Sequence, residues 1–441
     1  RIRFSSEKDI DNATIIVEGR IEKKENPLIF IAENTALLLM SVKNISVSYT
    51  ITEGSSMPGY KPSTNLLGME SYNNVTAPGW PYVFGWQDED FAIKAIENGW
   101  YTEDTTLNKP YLMTHNENLN VRVTLEPLRG LKIDLTANRS YSENNNRYYL
   151  PGIYGNEPYS QQITGNFFMT YLTIGSAFED LSSSDNYYSQ SYENFKIYRT
   201  AISDRLANER QSDPLYSPVE KPDEPGYMDG YGSASQQVMT PAFLAAYGFY
   251  DENSVPLDLF HQIPLPNWSV RYDGLKDIPF IKKYFKSINL SHTYRSSYNV
   301  GSFINSEYEE MDGYSYVIDQ LNNFIPQYQV NSISINEQFS PLINIDMTWN
   351  NNLTTRFEMK KARTITLSFT NNQITEVLSE ELGISLGYRF DDFNLIFDFG
   401  NQQENFKSDL NIRANFKIRD NKTILRKIVE DDELQKKKKK A

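Results

Sequence analysis

Asn44-Ile-Ser-Val-Ser-Tyr-Thr-Ile-Thr52 alternates without a slip: Ile45, Val47, Tyr49 and Ile51 fall on one face, and Asn44, Ser46, Ser48, Thr50 and Thr52 on the other. A period of two is the signature of a strand with one greasy and one wet side. The pattern recurs at Leu119, Val121, Val123 and Leu125 against Asn120, Arg122 and Thr124, and at Ile365, Leu367 and Phe369. It also marks Leu382, Ile384, Leu386 and Tyr388. About a dozen such segments in a hydrophilic chain predict an all-β transmembrane fold, an antiparallel outer-membrane β-barrel segment. In a soluble sandwich the same greasy side would meet a second sheet. On the membrane reading Val47, Tyr49, Val123, Leu135, Leu367 and Leu386 face lipid.

Composition narrows the classes. Cysteine is absent, so disulfides and thiolate metal sites are excluded. A formal charge of −14, despite the basic run Lys436–Lys440, argues against nucleic acid as a partner. No stretch reaches the roughly 18 uninterrupted apolar residues that a spanning helix needs, so any crossing is by strands. Thirty Tyr and 24 Phe suit a barrel with aromatic interfacial girdles. Arg1 opens the chain without a charged and apolar leader, which reads as a mature terminus or a fragment.

Six regions are expected. Residues 1–53 hold an incomplete strand region, and 54–117 a large loop rich in Gly, Pro and aromatics, with a short helix over Phe91–Glu97. Strands occupy 118–178, at Asn118–Glu126, Leu131–Asn138 and Asn166–Ala177. A helical, Pro-rich insert spans 179–286: Tyr188, Tyr192, Phe195, Tyr198, Ile202 and Leu206 recur at helical spacing over Asp185–Arg210, and a second helix starts at Pro241 behind a Thr240 cap. A meander over 287–430 has strands near 287–298, 329–338, 343–350, 353–360, 363–371, 376–388, 393–400 and 407–418. Residues 431–441 read as a solvated or foreign tail. Counting crossings places loops 54–117, 142–165 and 299–328 at one side of the sheet, with the insert at the other side or inside the lumen.

Chemistry-bearing motifs are scarce. The sequence lacks metalloprotease, nucleophile-elbow, phosphate-loop and calcium-loop patterns, so no catalytic residue, metal or cofactor is expected. His115, His261 and His292 lie far apart, and His292 reads as a lumen-facing strand residue. Asp88, Glu89 and Asp90 read as a helix entry. Trp80, Tyr82, Phe84, Trp86 and Trp100 bring so much aromatic surface to one loop that it packs on itself or meets a substrate or gating partner.

Several blocks are more specific than alternation. They include Gly54-Ser-Ser-Met-Pro-Gly59, Phe84-Gly-Trp-Gln87, Pro241-Ala-Phe-Leu-Ala-Ala246, Pro264-Leu-Pro-Asn-Trp268, Leu290-Ser-His-Thr-Tyr-Arg295 and Gly387-Tyr-Arg-Phe390. Their order and wording resemble the C-terminal part of the SprA/Sov family, the giant outer-membrane translocons of type IX secretion. The resemblance implies part of a single-chain barrel of 36 strands. It implies export of folded cargo bearing a C-terminal sorting domain, a PorV-like barrel protein at a lateral gate, a Plug protein in the lumen, and no enzymatic activity. It also implies a piece of a longer polypeptide whose last strands are missing after Asp420–Arg426. Two other classes stay open: a self-contained outer-membrane porin or transporter of about 12 strands, and a soluble β-rich carbohydrate binder with aromatic platforms.

Overall fold

Alternating segments assemble into one large antiparallel sheet in the computed structural model, which describes residues 40–182, 184, 186–306, 310–311, 314–398 and 403–428. The expected opening strand region before residue 40 and the tail at 431–441 lie outside the described residues. The sheet strands are β1 (Val42–Ser56), β2 (Tyr111–Leu128), β3 (Leu131–Tyr148), β4 (Ser160–Thr170) and β5 (Asn267–Tyr272). They continue as β6 (Phe285–Asn305), β7 (Ser332–Trp349), β8 (Leu353–Ser368), β9 (Gln373–Asp398) and β10 (Gln403–Lys427). Apart from β4 and β5, neighbours along the chain are neighbours in the sheet, and every ladder in it is antiparallel. Tight turns such as Leu128–Leu131 need Gly130, whose φ of +79 is in the left-handed region. Among the described residues β1 and β10 do not pair with one another, so the sheet has two edges.

The strands are longer and fewer than the sequence suggested. The expected pairs 329–338 with 343–350, 353–360 with 363–371, and 376–388 with 393–400 are the single strands β7, β8 and β9. Residues around Pro341 form a bulge in β7, and Asp391–Asp392 a bulge in β9, where turns were expected.

β4 and β5 share one place in the sheet. β4 pairs with the Arg139–Tyr148 half of β3, and β5 with Leu131–Thr136; both pair with β6. One stave is thus cut in two, and residues 171–266 leave through the cut. The expected strand Asn166–Ala177 ends at Thr170, and the insert rejoins the sheet at Asn267 instead of running to 286. The Asn138 amide donates to Thr170 Oγ1 at 3.1 Å and the Ser296 amide to Asn267 Oδ1 at 2.8 Å, so side chains replace ladder bonds at the cut.

The insert folds onto the apolar face of the sheet, not onto the polar face that a lumen would require, and not at the opposite end from the long connections. Its main helices are α2 (Gln190–Glu209), capped by Ser189 Oγ, and α3 (Gln236–Tyr247). Phe195, Ile202, Val238, Phe243 and Tyr247 bury against Phe167, Tyr298, Ile333, Ile365, Leu367 and Ile374. Tyr192 and Leu206 share that core while Tyr188 is exposed. α3 starts at Gln236, not Pro241, and Pro241 lies inside it. Loop 57–110 folds on the same face, where Phe91, Trp100 and Tyr101 cover Tyr111, Met113 and Tyr149. Helix α1 (Phe91–Glu97) supplies part of that cover.

Candidate functional surfaces

Beside the areas covered by the insert and the loop, the apolar face stays open. Ile45, Val47, Tyr49 and Ile51 on β1 are 49–63% exposed. Leu382, Ile384, Leu386, Tyr388 and Phe390 on β9, and Leu410, Ile412, Phe416 and Ile418 on β10, are exposed too. Val123, Leu135, Ile345, Phe357 and Met359 join them half-buried between the edges. Together they form a belt across the whole sheet. The opposite face is mainly polar, carrying Ser46, Ser48, Asn120, Arg122, Asp134, Thr136, Arg295, Ser297, Asn336, Lys360, Thr364, Glu381 and Arg419, with Val377 and Leu425 among the apolar exceptions near one end. Glu381 there holds Lys360 at 3.6 Å and Lys417 at 3.5 Å, and also pairs with Arg419.

Of the residues expected to face lipid, Val47, Tyr49 and Leu386 lie exposed in the belt, and Val123 and Leu135 lie in it half-buried. Leu367 does not: it is 0% exposed, beneath the insert. Its alternation is the same as theirs, but protein covers it.

The belt crosses the hydrogen-bonded rows obliquely. Its centre on β1, Ser48, pairs with Asn120 and then Asn138; the row continues through Thr170, Ser297, Asn336 and Thr364 to Val377 and Thr423. Among the residues whose side chains are described, the belt centres on Leu386 in β9 and near Ala414 in β10, each nine residues along the strand from that row. Nine residues at about 3.3 Å cover roughly 30 Å, and eight inter-strand steps of about 4.8 Å cover roughly 38 Å. The strands therefore run at about 40° to the normal of the belt, within the range of roughly 35–45° found for barrel staves.

Aromatic rings mark both margins. On one, Trp268 stacks on Tyr294 at 4.3 Å, Tyr294 meets Phe339 at 5.0 Å, and Phe178 of the insert meets Phe339 at 5.1 Å with the Lys361 ammonium 5.3 Å from its ring. On the other, Phe285 meets Trp349 at 4.1 Å and Tyr388 meets Phe390 at 4.6 Å. From Tyr294 to Phe285 along β6 is about 30 Å.

Under the insert, four staves contribute one buried charge each: Glu337, Arg363, Glu376 and Arg426. Arg363 Nε donates to Glu337 at 2.6 Å, its Nη1 lies 3.8 Å from Glu376, and Arg426 Nη1 donates to Glu376 at 3.1 Å. The same guanidinium groups hold the insert. Arg363 donates to the Ser176 carbonyl and Oγ, both at 2.7 Å, and to the Thr173 carbonyl at 3.2 Å, while Arg426 donates to the Tyr187 carbonyl at 2.8 Å. Thr173 Oγ1 and Tyr294 OH complete the Glu337 carboxylate at 2.7 and 2.9 Å. A depression of about 600 Å³ opens over this network on the polar side, lined by Asn138, Thr170, Arg295, Asn336 and Gln338. Sequence reasoning missed the network, because its members are separated by whole strands.

The five aromatics singled out in loop 57–110 divide. Trp100 is buried in the loop core and Tyr82 stacks on Phe91 at 4.3 Å. Trp80, Phe84 and Trp86 are exposed. Asp88, Glu89 and Asp90 do enter α1: Asp88 accepts from the Asp90 amide and pairs with Lys94 at 2.6 Å, and Glu89 pairs with Arg147.

The histidines are not brought together. His115 lies between Glu53 at 3.0 Å and Glu117 at 3.1 Å. His292 sits on the apolar face against Trp268 and Phe339, correcting its expected lumen placement, and its Nδ1 meets the Leu342 carbonyl. His261 is buried in the insert beside Tyr171 and Tyr298. Burial pushes its imidazole down to about 4, an effect that the Pro256 carbonyl only partly offsets. Among the described residues no group of three or more His, Asp or Glu side chains is placed to hold a metal ion, and no helix is long and apolar enough to cross a membrane. No protein-family model and no curated protein matches this chain.

Proposed function

We propose that this sheet is a stretch of the wall of a large outer-membrane β-barrel, with the belt against lipid and the polar face toward a water-filled lumen that conducts protein. The single observation that supports it best is the belt: exposed apolar residues about 30 Å deep along the strands, edged by aromatics, and inclined to the strands at about 40°. A soluble carbohydrate binder has no reason to keep an apolar belt that is bare on both edges of the sheet and only half-buried between them. The connections 57–110, 149–159 and 306–331 all leave from one end of the sheet. Outer-membrane barrels keep long loops outside the cell, so that end faces outward, and the insert with it.

Strand parity favours a larger ring over a small self-contained porin. With β4 and β5 sharing a stave, β1 to β10 occupy nine positions. β1 and β10 therefore run parallel, and an all-antiparallel ring closes only with an odd number of further staves between them. The resemblance to type IX translocons supplies the cargo on this reading, namely folded proteins bearing a C-terminal sorting domain. It also supplies the partners: a PorV-like barrel protein at the lateral gate and a Plug protein in the lumen. The protein is then a conduit and not an enzyme.

Leu386→Lys tests the wall. At a lipid-facing site near mid-belt a lysine costs roughly 2–4 kcal/mol of assembly, against about 0.5 kcal/mol or less on a water-washed strand. Folding midpoints in bilayers are the measurement, with Ile384→Lys as a second site. Unchanged assembly of both variants would refute the lipid-facing belt; normal assembly of the native protein with intact cargo export after loss of the polypeptide would refute the conduit.

A further inference from the structure

The exposed aromatic rim of loop 57–110 lies outside the loop's apolar core. Trp80 and Phe84 stack on one another at 5.7 Å, and they and Trp86 are 50%, 71% and 68% exposed. Leu66 and Leu67 add bare aliphatic surface, and an apolar pocket of about 430 Å³ between Met57, Leu67, Pro78 and Val83 opens beside them. The rim is fixed close to the belt. Gln87 Nε2 donates to the Gly54 carbonyl at 2.9 Å and to the Thr114 carbonyl at 2.6 Å, and Tyr82 OH donates to the Ser55 carbonyl at 3.4 Å. Gly54 is three residues, about 10 Å, from Ile51, the last exposed belt residue on β1. The core under the rim rests on Tyr111 and Met113, on the belt's own face of β2.

We infer that Trp80, Phe84 and Trp86 lie in the surface of the same lipid bilayer that bathes the belt, anchoring the loop to the membrane interface. Tryptophan suits that level because its ring is apolar and its indole N–H still reaches water or headgroups. The inference rests on the wall reading above, and commits the rim to lipid instead of cargo or a gating protein. Leu66, Leu67 and the pocket deepen the contact on the same side of the loop.

The 441 residues hold five tryptophans, at 80, 86, 100, 268 and 349, and no cysteine, so both can be used as probes within this chain. Variants retaining one tryptophan, with Phe at the other four sites, are reconstituted in phosphatidylcholine vesicles brominated near the headgroup end of the acyl chains. Trp80 and Trp86 are expected to lose at least half of their emission, Trp349 at the belt margin likewise, and Trp100 in the loop core little. Quenching of Trp349 with Trp80 and Trp86 untouched would overturn the anchor and leave the wall standing. Absence of quenching at all three would overturn the wall as well. If a tryptophan variant fails to fold, Phe84→Cys carrying an environment-sensitive fluorophore in the otherwise native chain gives the same answer. A blue-shifted emission on reconstitution supports the anchor, and an unshifted one refutes it.

Discussion

Replacing Arg363 with Met should release the insert from the sheet. The guanidinium is 3% exposed and uses Nε for Glu337, Nη1 for the Ser176 carbonyl, and Nη2 for Ser176 Oγ and the Thr173 carbonyl. Methionine fills most of the volume and supplies none of these donors. Glu337 is left with two hydroxyl donors, Glu376 with Arg426 alone, and the oxygens of Thr173 and Ser176 with no guanidinium. Removing one partner of a buried ionic set costs about 3–5 kcal/mol, because the partner left behind stays charged and dry. That is roughly a 140- to 3,700-fold rise in the undocked population at about 1.4 kcal/mol per factor of ten. Amide hydrogen exchange is the assay. Protection should fall by about two to three orders of magnitude over the insert, including Ala177, whose amide bonds the Ile174 carbonyl. Ladder amides between the distant halves of β9 and β10 should keep theirs. Adding Glu337→Gln to Arg363→Met removes the orphaned carboxylate, leaves the Glu376–Arg426 pair intact, and should restore part of the protection. Unchanged protection in Arg363→Met would show that apolar burial alone holds the insert. Further loss in the double variant would show that charge orphaning is not the mechanism.

Two further outcomes follow from single sites. His261 binds its proton with a pKa pushed down to about 4 in the fold against about 6.5 in an unfolded chain, so between those values the unfolded state carries the extra proton. Its contribution is complete above about pH 6.5 and shrinks as pH falls toward 4, by about 3 kcal/mol in all; His261→Phe should flatten that slope in a pH series of unfolding midpoints of the insert, and an unchanged slope would clear His261 of the role. Gly165 sits at a bulge in β4, where an added Cβ would be 2.1 Å from the Ser142 carbonyl oxygen and 2.3 Å from Phe303 Cζ. Gly165→Ala should cost about 3 kcal/mol by overpacking, read as a lower unfolding midpoint in detergent, and a midpoint equal to the native one would refute the close approach.

Alternation made the two faces of the sheet readable from the sequence, but not what covers the apolar one. Leu367 and Leu386 satisfy the same period of two, since a packed helix and a bilayer make the same demand on a strand face. Only the insert distinguishes them, and it reaches Leu367 from residues more than a hundred positions away. α2 was legible because its buried stripe, Tyr192 to Leu206, repeats at helical spacing. α3 was shortened by reading Pro241 as a start. Its first turn, from Gln236, is held by burial of Val238 and Met239, which no local propensity rule weighs.

Strand ends misled for an electrostatic reason. Lys360-Lys361 and Asp391-Asp392 look like breaks between strands, because charges inside an isolated strand have nowhere to go. In the sheet Lys361 meets Glu380 at 2.9 Å, Lys360 meets Glu381 at 3.6 Å, and Arg389 meets Asp391 at 2.9 Å. The break at Lys360-Lys361 is one half of a cross-strand pair whose neighbour is invisible until the register is known, whereas Asp391 is met by Arg389 of its own strand at the bulge. The cut stave is the extreme case. Ser160–Thr170 and Asn267–Tyr272 are each unremarkable short strands, and what joins them is a shared neighbour on either side, β3 and β6. With the insert leaving from the middle of a stave, it emerges onto one face of the sheet and not from a turn at its end. That is why the same residues that close the cut, Thr170 and Asn267, border the depression above the buried charges, and why the insert's anchor at Thr173 and Ser176 begins three residues beyond it.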